Sequence, residues 1–332
     1  MSEMRMRRGA RARLPCERTI VRAMGINLQM NELRNPVEIA FVGLGQMGRP
    51  MALNLLSSGA RLTVMSQIQD SYAEFRAKGA STVDAVRDLK HADLVFLSLP
   101  NDAAVQSVLF GPDGLAGVLR PGAVVVDTST ITHAATLSIA DRLAALGIEF
   151  LDAPVSGMQS RAEDGTLTVM CGGKPAVYER VRPWLARMGK EILFMGDSGS
   201  GQLTKLINQL LFDINCAAVA EIIPMAVKMG LDAGKVSTVV NSGTGRSYAS
   251  EFFLPRVLAR HFADGYPMEN AYKDLVSAAE LGARHCVPMP VLAAATTTYQ
   301  MSLLRGHGKK DKGAMMLLFE ELLGVEYKAS KQ

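Results

Sequence analysis

Six consecutive residues, Gly43-Leu44-Gly45-Gln46-Met47-Gly48, have the types and spacing to hold a dinucleotide. Gly43 lets a strand turn sharply into a helix, Gly45 lets the backbone approach a pyrophosphate, and Gly48 lets the helix sit close on the sheet. The phosphates would face the amino end of that helix and its free N–H groups. An apolar run at 37–42 and an amphipathic run at 50–56 flank the turn as the strand and helix it needs. A nicotinamide cofactor held there implies hydride transfer, and oxidising an alcohol then requires a group to take the hydroxyl proton and, in reverse, to return it. Lys205 suits both directions. It lies near the start of a long apolar segment, where a helix dipole and partial burial both lower an ammonium pKa toward neutrality. A lone helical Lys is ordinarily a solvated charge, but Gly199, Gly201, Leu203 and Leu206 place this one beside a cleft.

The elements that must position these groups follow from periodicity. Strand-like runs at Leu62 to Met65, Leu94 to Leu99, Ala123 to Asp127, Ile148 to Asp152, Thr166 to Cys171 and Ile192 to Met195 alternate with helix-like segments. This is the pattern of a doubly wound, mainly parallel sheet. From Gly201 the apolar residues take helical spacing through Leu203, Leu206, Ile207, Leu210, Leu211 and Ile214 toward Ile222, after turn chemistry at Asp197 to Gly201. Further helices are expected near Asp232 to Asn241, Glu269 to Arg284, Pro290 to Arg305 and Lys312 to Leu323. The basic cluster Lys309-Lys310-Lys312 reads as a solvated loop between helices. The expected fold is α/β, an N-terminal Rossmann-type doubly wound sheet at 37–196 followed by an all-helical C-terminal domain at 197–332.

Composition excludes several classes. The chain has 332 residues, 48% of them hydrophobic, enough for two ordinary cores. Its net charge of +4 comes from the first 36 residues, where eight Arg stand against three Glu (+5), leaving −1 for the rest. The sequence therefore predicts no nucleic-acid partner. The basic stretch 1–36 reads as a disordered extension, or as upstream of a true start at Met24 or Met30; it fits a transit peptide poorly, having three acidic residues and one Ser. The longest apolar stretch, Leu210 to Met229, is broken by Asp213, Asn215, Glu221 and Lys228, so no membrane segment is expected. Cys16, Cys171, Cys216 and Cys286 lack disulfide or zinc spacing and read as reduced cytoplasmic thiols, and no metal site is expected.

Four ordered motifs resemble the β-hydroxyacid dehydrogenase family, which includes 3-hydroxyisobutyrate dehydrogenase and tartronate semialdehyde reductase. Gly43 to Leu55 is similar to its fingerprint GLGxMGxxMAxNL. Asp152 to Gly157, with Gly165-Thr166-Leu167, resembles its substrate segment. Gly199 to Asn208 resembles its catalytic GxGxxxKxxN, and Lys273-Asp274-Leu275 its late KDL motif. The resemblance implies a reversible NAD(P)-dependent dehydrogenase of a short 3-hydroxy acid or its semialdehyde. Lys205 would be the acid/base, Ser156 and Gly157 would cradle a small carboxylate substrate, and Asn208 and Gln209 would orient the reacting oxygen. It further implies that Leu99, Pro100 and Thr130 line the nicotinamide half and that Lys273 reaches the cofactor. The chain departs from the family in three places. Gln209 replaces a second Asn, reaching one methylene further. Met158 replaces a Gly and either packs on a neighbouring helix or reshapes the pocket. Arg161 stands where Gly is common, and in the reshaped-pocket alternative it would hold a second anionic group.

Cofactor choice falls at the end of the second strand, where an acid binds the ribose of NAD or an Arg accepts the phosphate of NADP. The chain has Ser66 and Gln67 there, which leaves NAD and NADP both open. Two alternatives share the architecture: a catalytically silent cofactor-binding interaction protein and an imine reductase-like enzyme; retention of Lys205 weighs against both. The apolar breadth of the segment from Leu206 to Ile223 predicts a homodimer or homotetramer assembled through the helical domain.

Overall fold

The computed structural model describes residues 37–263 and 266–329, so the expectation for the basic leader lies outside the described residues. The chain opens as β1 (Glu38–Val42), α1 (Gly48–Ser57), β2 (Arg61–Met65), α2 (Tyr72–Ala77), β3 (Ser81–Val83), β4 (Leu94–Leu97), α3 (Asp102–Phe110), β5 (Val124–Asp127), α4 (His133–Ala144) and β6 (Glu149–Asp152). Strands β4 and β5 are buried at every position, the continuous apolar run of a strand covered on both faces. Their alternate residues divide between two cores. Ile39, Phe41, Leu94 and Phe96 fill one, while Ala40, Val42, Val95 and Leu97 fill the other.

These six strands are parallel in the order β3-β2-β1-β4-β5-β6. The order reverses between β1 and β4, which opens a crevice beyond their carboxyl ends, where the Gly43 turn lies. The sheet continues through β7 (Val155–Ser156), α5 (Met158–Glu163), β8 (Leu167–Gly173), α6 (Pro175–Leu185) and β9 (Gly189–Gly196). Strand β8 runs antiparallel to β6 and β7, and β9 runs parallel to β8. Strands β3 and β7 fall outside the expected set because two or three residues are too few to show alternation.

No strand follows Gly196 among the described residues apart from an isolated bridge between Pro267 and Asp311. The remainder is helical: α7 (Ser200–Lys228), α8 (Ala233–Ser242), α9 (Tyr248–Leu258), α10 (Met268–Arg284), α11 (Pro290–Leu304) and α12 (Met315–Leu323). Helix α9 was not expected, since its internal Pro255 interrupts the helical signature. A capping box between Ser247 and Ser250 starts it, and buried Phe253, Leu254 and Val257 fix it to its neighbours. The expected helix from Lys312 begins instead with a single 3-10 turn, Lys312–Ala314. The solvated reading of the lysine cluster holds for Lys309 and Lys310, which are exposed, and is corrected for Lys312, which is 1% exposed with its ammonium paired with Asp213 of α7.

Helix α7 is the axis of the helical half, packed by α9, α10, α11 and α12. Its length and hydropathy match those of a membrane-crossing helix, so its polar residues interrupt it less than expected. Asp213, in its middle, is fully buried and ion-paired inside the bundle. The architecture is thus a Rossmann-type sheet followed by a helical bundle.

Candidate active site

The first βα turn is shaped for a backbone ligand. Gly43 has φ +98°, and a Cβ on it would lie 2.2 Å from the Ser98 carbonyl oxygen; a Cβ on Gly48 would lie 2.0 Å from that of Gly43. Both glycines are therefore required by the packing of β1, β4 and α1 on one another. Gly45 is different. A Cβ there meets nothing within 4 Å, so this glycine faces open space, where a pyrophosphate would need the backbone bare. Leu99 packs against Gly43, its amide donating to Ser129 Oγ at 2.8 Å, while Pro100 is exposed at the strand end. The residues present fit a dinucleotide.

Beside this turn lies an open hollow of about 480 Å³ lined by Leu44, Arg49, Ile68, Asp70, Ser71 and Glu74. Sequence reasoning identified Leu44 but missed the others. Arg49 follows the glycines directly and Glu74 sits one helix later, so the signal was a charged pair flanking the expected ribose position. Their side chains meet at 2.6 Å. Ser66 and Gln67 do not line the hollow. Ser66 shapes its edge, its amide donating to Tyr72 Oη at 2.7 Å and its Oγ accepting from the Ile68 amide at 3.2 Å.

The second half of the site is built around the amino end of α7. Gly199, the N-cap residue, has a left-handed φ of +92° and no side chain to cap the helix. Asp152, at the end of β6, does so from a distance. Its Oδ1 accepts from the Gly199 amide at 2.8 Å and its Oδ2 from the Gln202 amide at 2.9 Å. A Cβ on Gly201 would come within 2.3 Å of the Met170 carbonyl oxygen, so only glycine admits this approach. Gln202 then locks the helix to the loop after β5, donating to the Ser129 carbonyl at 2.7 Å and accepting from the Ile131 amide at 3.3 Å. Asp152 and Gln202 stood inside the recognised motifs without assigned roles, because their partners are distant in sequence.

From that anchored start, α7 presents its residues at about 100° per step. Lys205 is half-buried. Asn208 lies about 60° to one side of it and donates through Nδ2 to Ser156 Oγ at 3.3 Å. Gln209 and Gln202 lie about 40–60° to the other side and line a cavity of about 210 Å³ together with Thr130, Leu206, Lys273 and Asp274. The structure thus brings Ser156 to Asn208, and Thr130 and Lys273 to Gln209; on the circumference of α7 Lys205 falls between Asn208 and Gln209, and it does not itself line the cavity. Burial pushes the Lys205 ammonium down to about 8, against the opposing pull of the Asp274 carboxylate. Asp274 is itself pushed up to about 6 by burial. It lies inside the Lys273-Asp274-Leu275 motif, which by itself assigns it no role.

Gly157, at φ +143°, and Met158, at φ +61°, turn the chain sharply after Ser156. A Cβ on Gly157 would meet the Arg161 side chain at 2.9 Å. Met158 receives the Tyr248 hydroxyl on its sulfur at 3.1 Å, tying α9 to this turn. Arg161 donates to the Thr166 carbonyl, with Nε at 2.9 Å, closing the α5–β8 connection. Among the described residues no group of three or more His, Cys, Asp or Glu is placed to hold a metal ion.

Two family models match the chain. Residues 38–196 match the NAD binding domain of 6-phosphogluconate dehydrogenase, and residues 199–319 match the NAD-binding domain of NADP-dependent 3-hydroxyisobutyrate dehydrogenase. The chain is 37% identical to 2-(hydroxymethyl)glutarate dehydrogenase of Eubacterium barkeri, covering 88% of this chain and 98% of that protein. It is 33% identical to 2-hydroxy-3-oxopropionate reductase of Escherichia coli, covering 86% and 97%. Among solved structures it resembles 3-hydroxyisobutyrate dehydrogenase from Salmonella typhimurium with a TM-score of 0.79 and 30% identity, over 85% of this chain and all of the other.

Proposed function

Because this chain belongs to the β-hydroxyacid dehydrogenase family, whose members act on CH–OH groups with NAD or NADP, we propose that Lys205 is the proton-transfer group of this oxidoreductase and Ser156-Gly157 its carboxylate cradle. The observation that carries this reading is the position of Lys205 on α7, between the Asn208–Ser156 contact and the cavity lined by Thr130, Gln209 and Lys273. When bound, the nicotinamide supplies or accepts the hydride. In oxidation the neutral Lys205 amine takes the hydroxyl proton as hydride leaves the carbinol carbon; in reduction its ammonium returns that proton to the carbonyl oxygen. Ser156 Oγ accepts from Asn208, which leaves the serine hydroxyl hydrogen free to donate to a substrate carboxylate. Gln209 offers its amide to the reacting oxygen. The substrate is a short 3-hydroxy acid or its semialdehyde.

In the same proposal, residues 37–196 hold the cofactor and 197–332 complete the substrate site and carry the subunit contact. Leu203, Ile207, Leu211, Ile222, Met225 and Met229 are exposed and fall within about 100° of the α7 circumference, opposite the buried face. Such an apolar stripe supports a homodimer or homotetramer. The free thiols of Cys171, Cys216 and Cys286 are consistent with a cytoplasmic enzyme. Substituting Lys205→Ala tests the central assignment: turnover of hydroxy acids is expected to vanish while cofactor affinity, measured by nicotinamide fluorescence, is retained. Near wild-type kcat in that variant would overturn it.

A further inference from the structure

Asp213 is a fully buried carboxylate in the middle of α7, with no role in the motifs around it. It lies one turn beyond Gln209 and two beyond Lys205, so the three residues share a face of the helix. Its Oδ1 gathers three donors from three elements: the Lys312 ammonium, the Tyr299 hydroxyl of α11 at 3.3 Å and Gln209 Nε2 at 3.5 Å. Lys312 is as deeply buried as its partner, with its ammonium 4.4 Å from the centroid of the Phe212 ring. A buried ion pair of this kind gives little net stability, since well-packed apolar residues in the same space do as well or better. Its presence therefore asks for another explanation, and Gln209 supplies one.

We propose that Asp213, ion-paired with Lys312, is a positioning residue that fixes the orientation of the Gln209 amide. An ionised carboxylate can only accept hydrogen bonds, so Gln209 must turn its nitrogen toward Asp213. The amide oxygen is then directed away from the pair, toward the cavity that Gln209 lines with Thr130 and Lys273. Gln209 thereby presents its amide to the substrate in one fixed orientation, while the single hydrogen of the reacting hydroxyl goes to Lys205. The extra methylene of Gln relative to Asn lets the side chain reach onward along α7 to Asp213 while its oxygen still faces the site. The inference rests on the reading of Gln209 as a substrate-orienting group.

Coupling between the two residues tests it. In the otherwise native enzyme, Gln209→Ala is expected to lower kcat/KM for the hydroxy acid by about tenfold, the loss of one oriented hydrogen bond. In an Asp213→Asn background the substituted amide offers a donor as well as an acceptor, so Gln209 is no longer held one way round. The same Gln209→Ala change should then cost less than about threefold. Asp213→Leu combined with Lys312→Met removes both charges while filling the space, and should show the same loss of coupling if the single variant folds poorly. Lys312→Arg, which keeps the cation, should retain the full tenfold cost. An equal cost of Gln209→Ala in all backgrounds would overturn the inference, because a purely structural pair leaves that ratio unchanged. If Gln209→Ala costs nothing even in the native background, it is the reading of Gln209 that fails.

Discussion

At the residue scale, the property of Lys205 on which its proposed role turns is a proton affinity lowered by burial. With its ammonium lowered to about 8, the amine is partly neutral near physiological pH and can work in either direction. Oxidation needs the neutral form, so its kcat/KM should rise with pH and level off above about 8; reduction needs the ammonium and should decline over the same range. Paired pH–rate profiles check this, and profiles of identical sign would separate the titration from Lys205. Cofactor preference is likewise decided by single side chains. Glu74 neutralises Arg49, and Asp70 adds a further negative charge to the same hollow. Among the described residues that line it, a 2′-phosphate would meet no cation but the paired Arg49. Glu74→Gln releases the guanidinium and should improve kcat/KM for NADP relative to NAD by about tenfold, the worth of one charge-assisted hydrogen bond. An unchanged ratio from the two-cofactor assay would place the ribose elsewhere.

At the element scale, the proposed active site depends on where α7 begins. The helix has no cap of its own, and Asp152 substitutes for one from the end of a neighbouring strand. Both carboxylate oxygens are engaged, so Asp152→Asn turns an N–H group toward one of the two amides. Leaving a buried donor unsatisfied costs about 1–3 kcal/mol. The variant should therefore melt earlier, and its kcat should fall because the first turn of α7 sets the bearing of Lys205. Thermal denaturation with steady-state kinetics reads both effects. Full activity with a lowered melting point would separate the anchor from the chemistry.

At the scale of the whole molecule, two properties should be measurable. Asp127 is fully buried at the end of β5, its Oδ1 accepting from the Ser129 amide and its Oδ2 without a partner. Burial raises its carboxyl from 3.8 to about 7. Between these values the native state keeps a proton that the unfolded chain has lost, so stability falls as pH rises through the window and is level above about 7. The full contribution is present below 3.8 and is on the order of 4 kcal/mol. Asp127→Asn mimics the neutral acid and should remove that slope in urea titrations between pH 4 and 8. The second property is assembly. Leu211→Asp places a charge in the middle of the exposed α7 stripe, and light scattering should then report a monomer of 35.7 kDa where the native chain gives a multiple of it. A native monomer would rule out the subunit contact.

What depends on near neighbours in the chain is readable without any tertiary structure. Glycine spacing from Gly43 to Gly48 carries the turn because φ and close approach are local constraints, and the helical spacing from Leu203 to Ile222 carries α7 because a helix face repeats every three to four residues. Lys205, Asn208, Gln209 and Ser156-Gly157 enter as proposed site residues through the motifs that hold them, which are also runs of near neighbours. Tertiary structure decided what depends on strand order and helix packing. Asp152 meets Gly199 and Gln202 across 47 and 50 residues, Ser156 meets Asn208 across 52, and Lys312 meets Asp213 across 99. Nothing in the local run Lys309-Lys310-Lys312 distinguishes a solvated cation from a buried one, because the difference lies in a carboxylate carried by another helix. Short β3 and β7 were invisible on the same principle: two or three residues become a strand only when a neighbouring strand offers its hydrogen bonds.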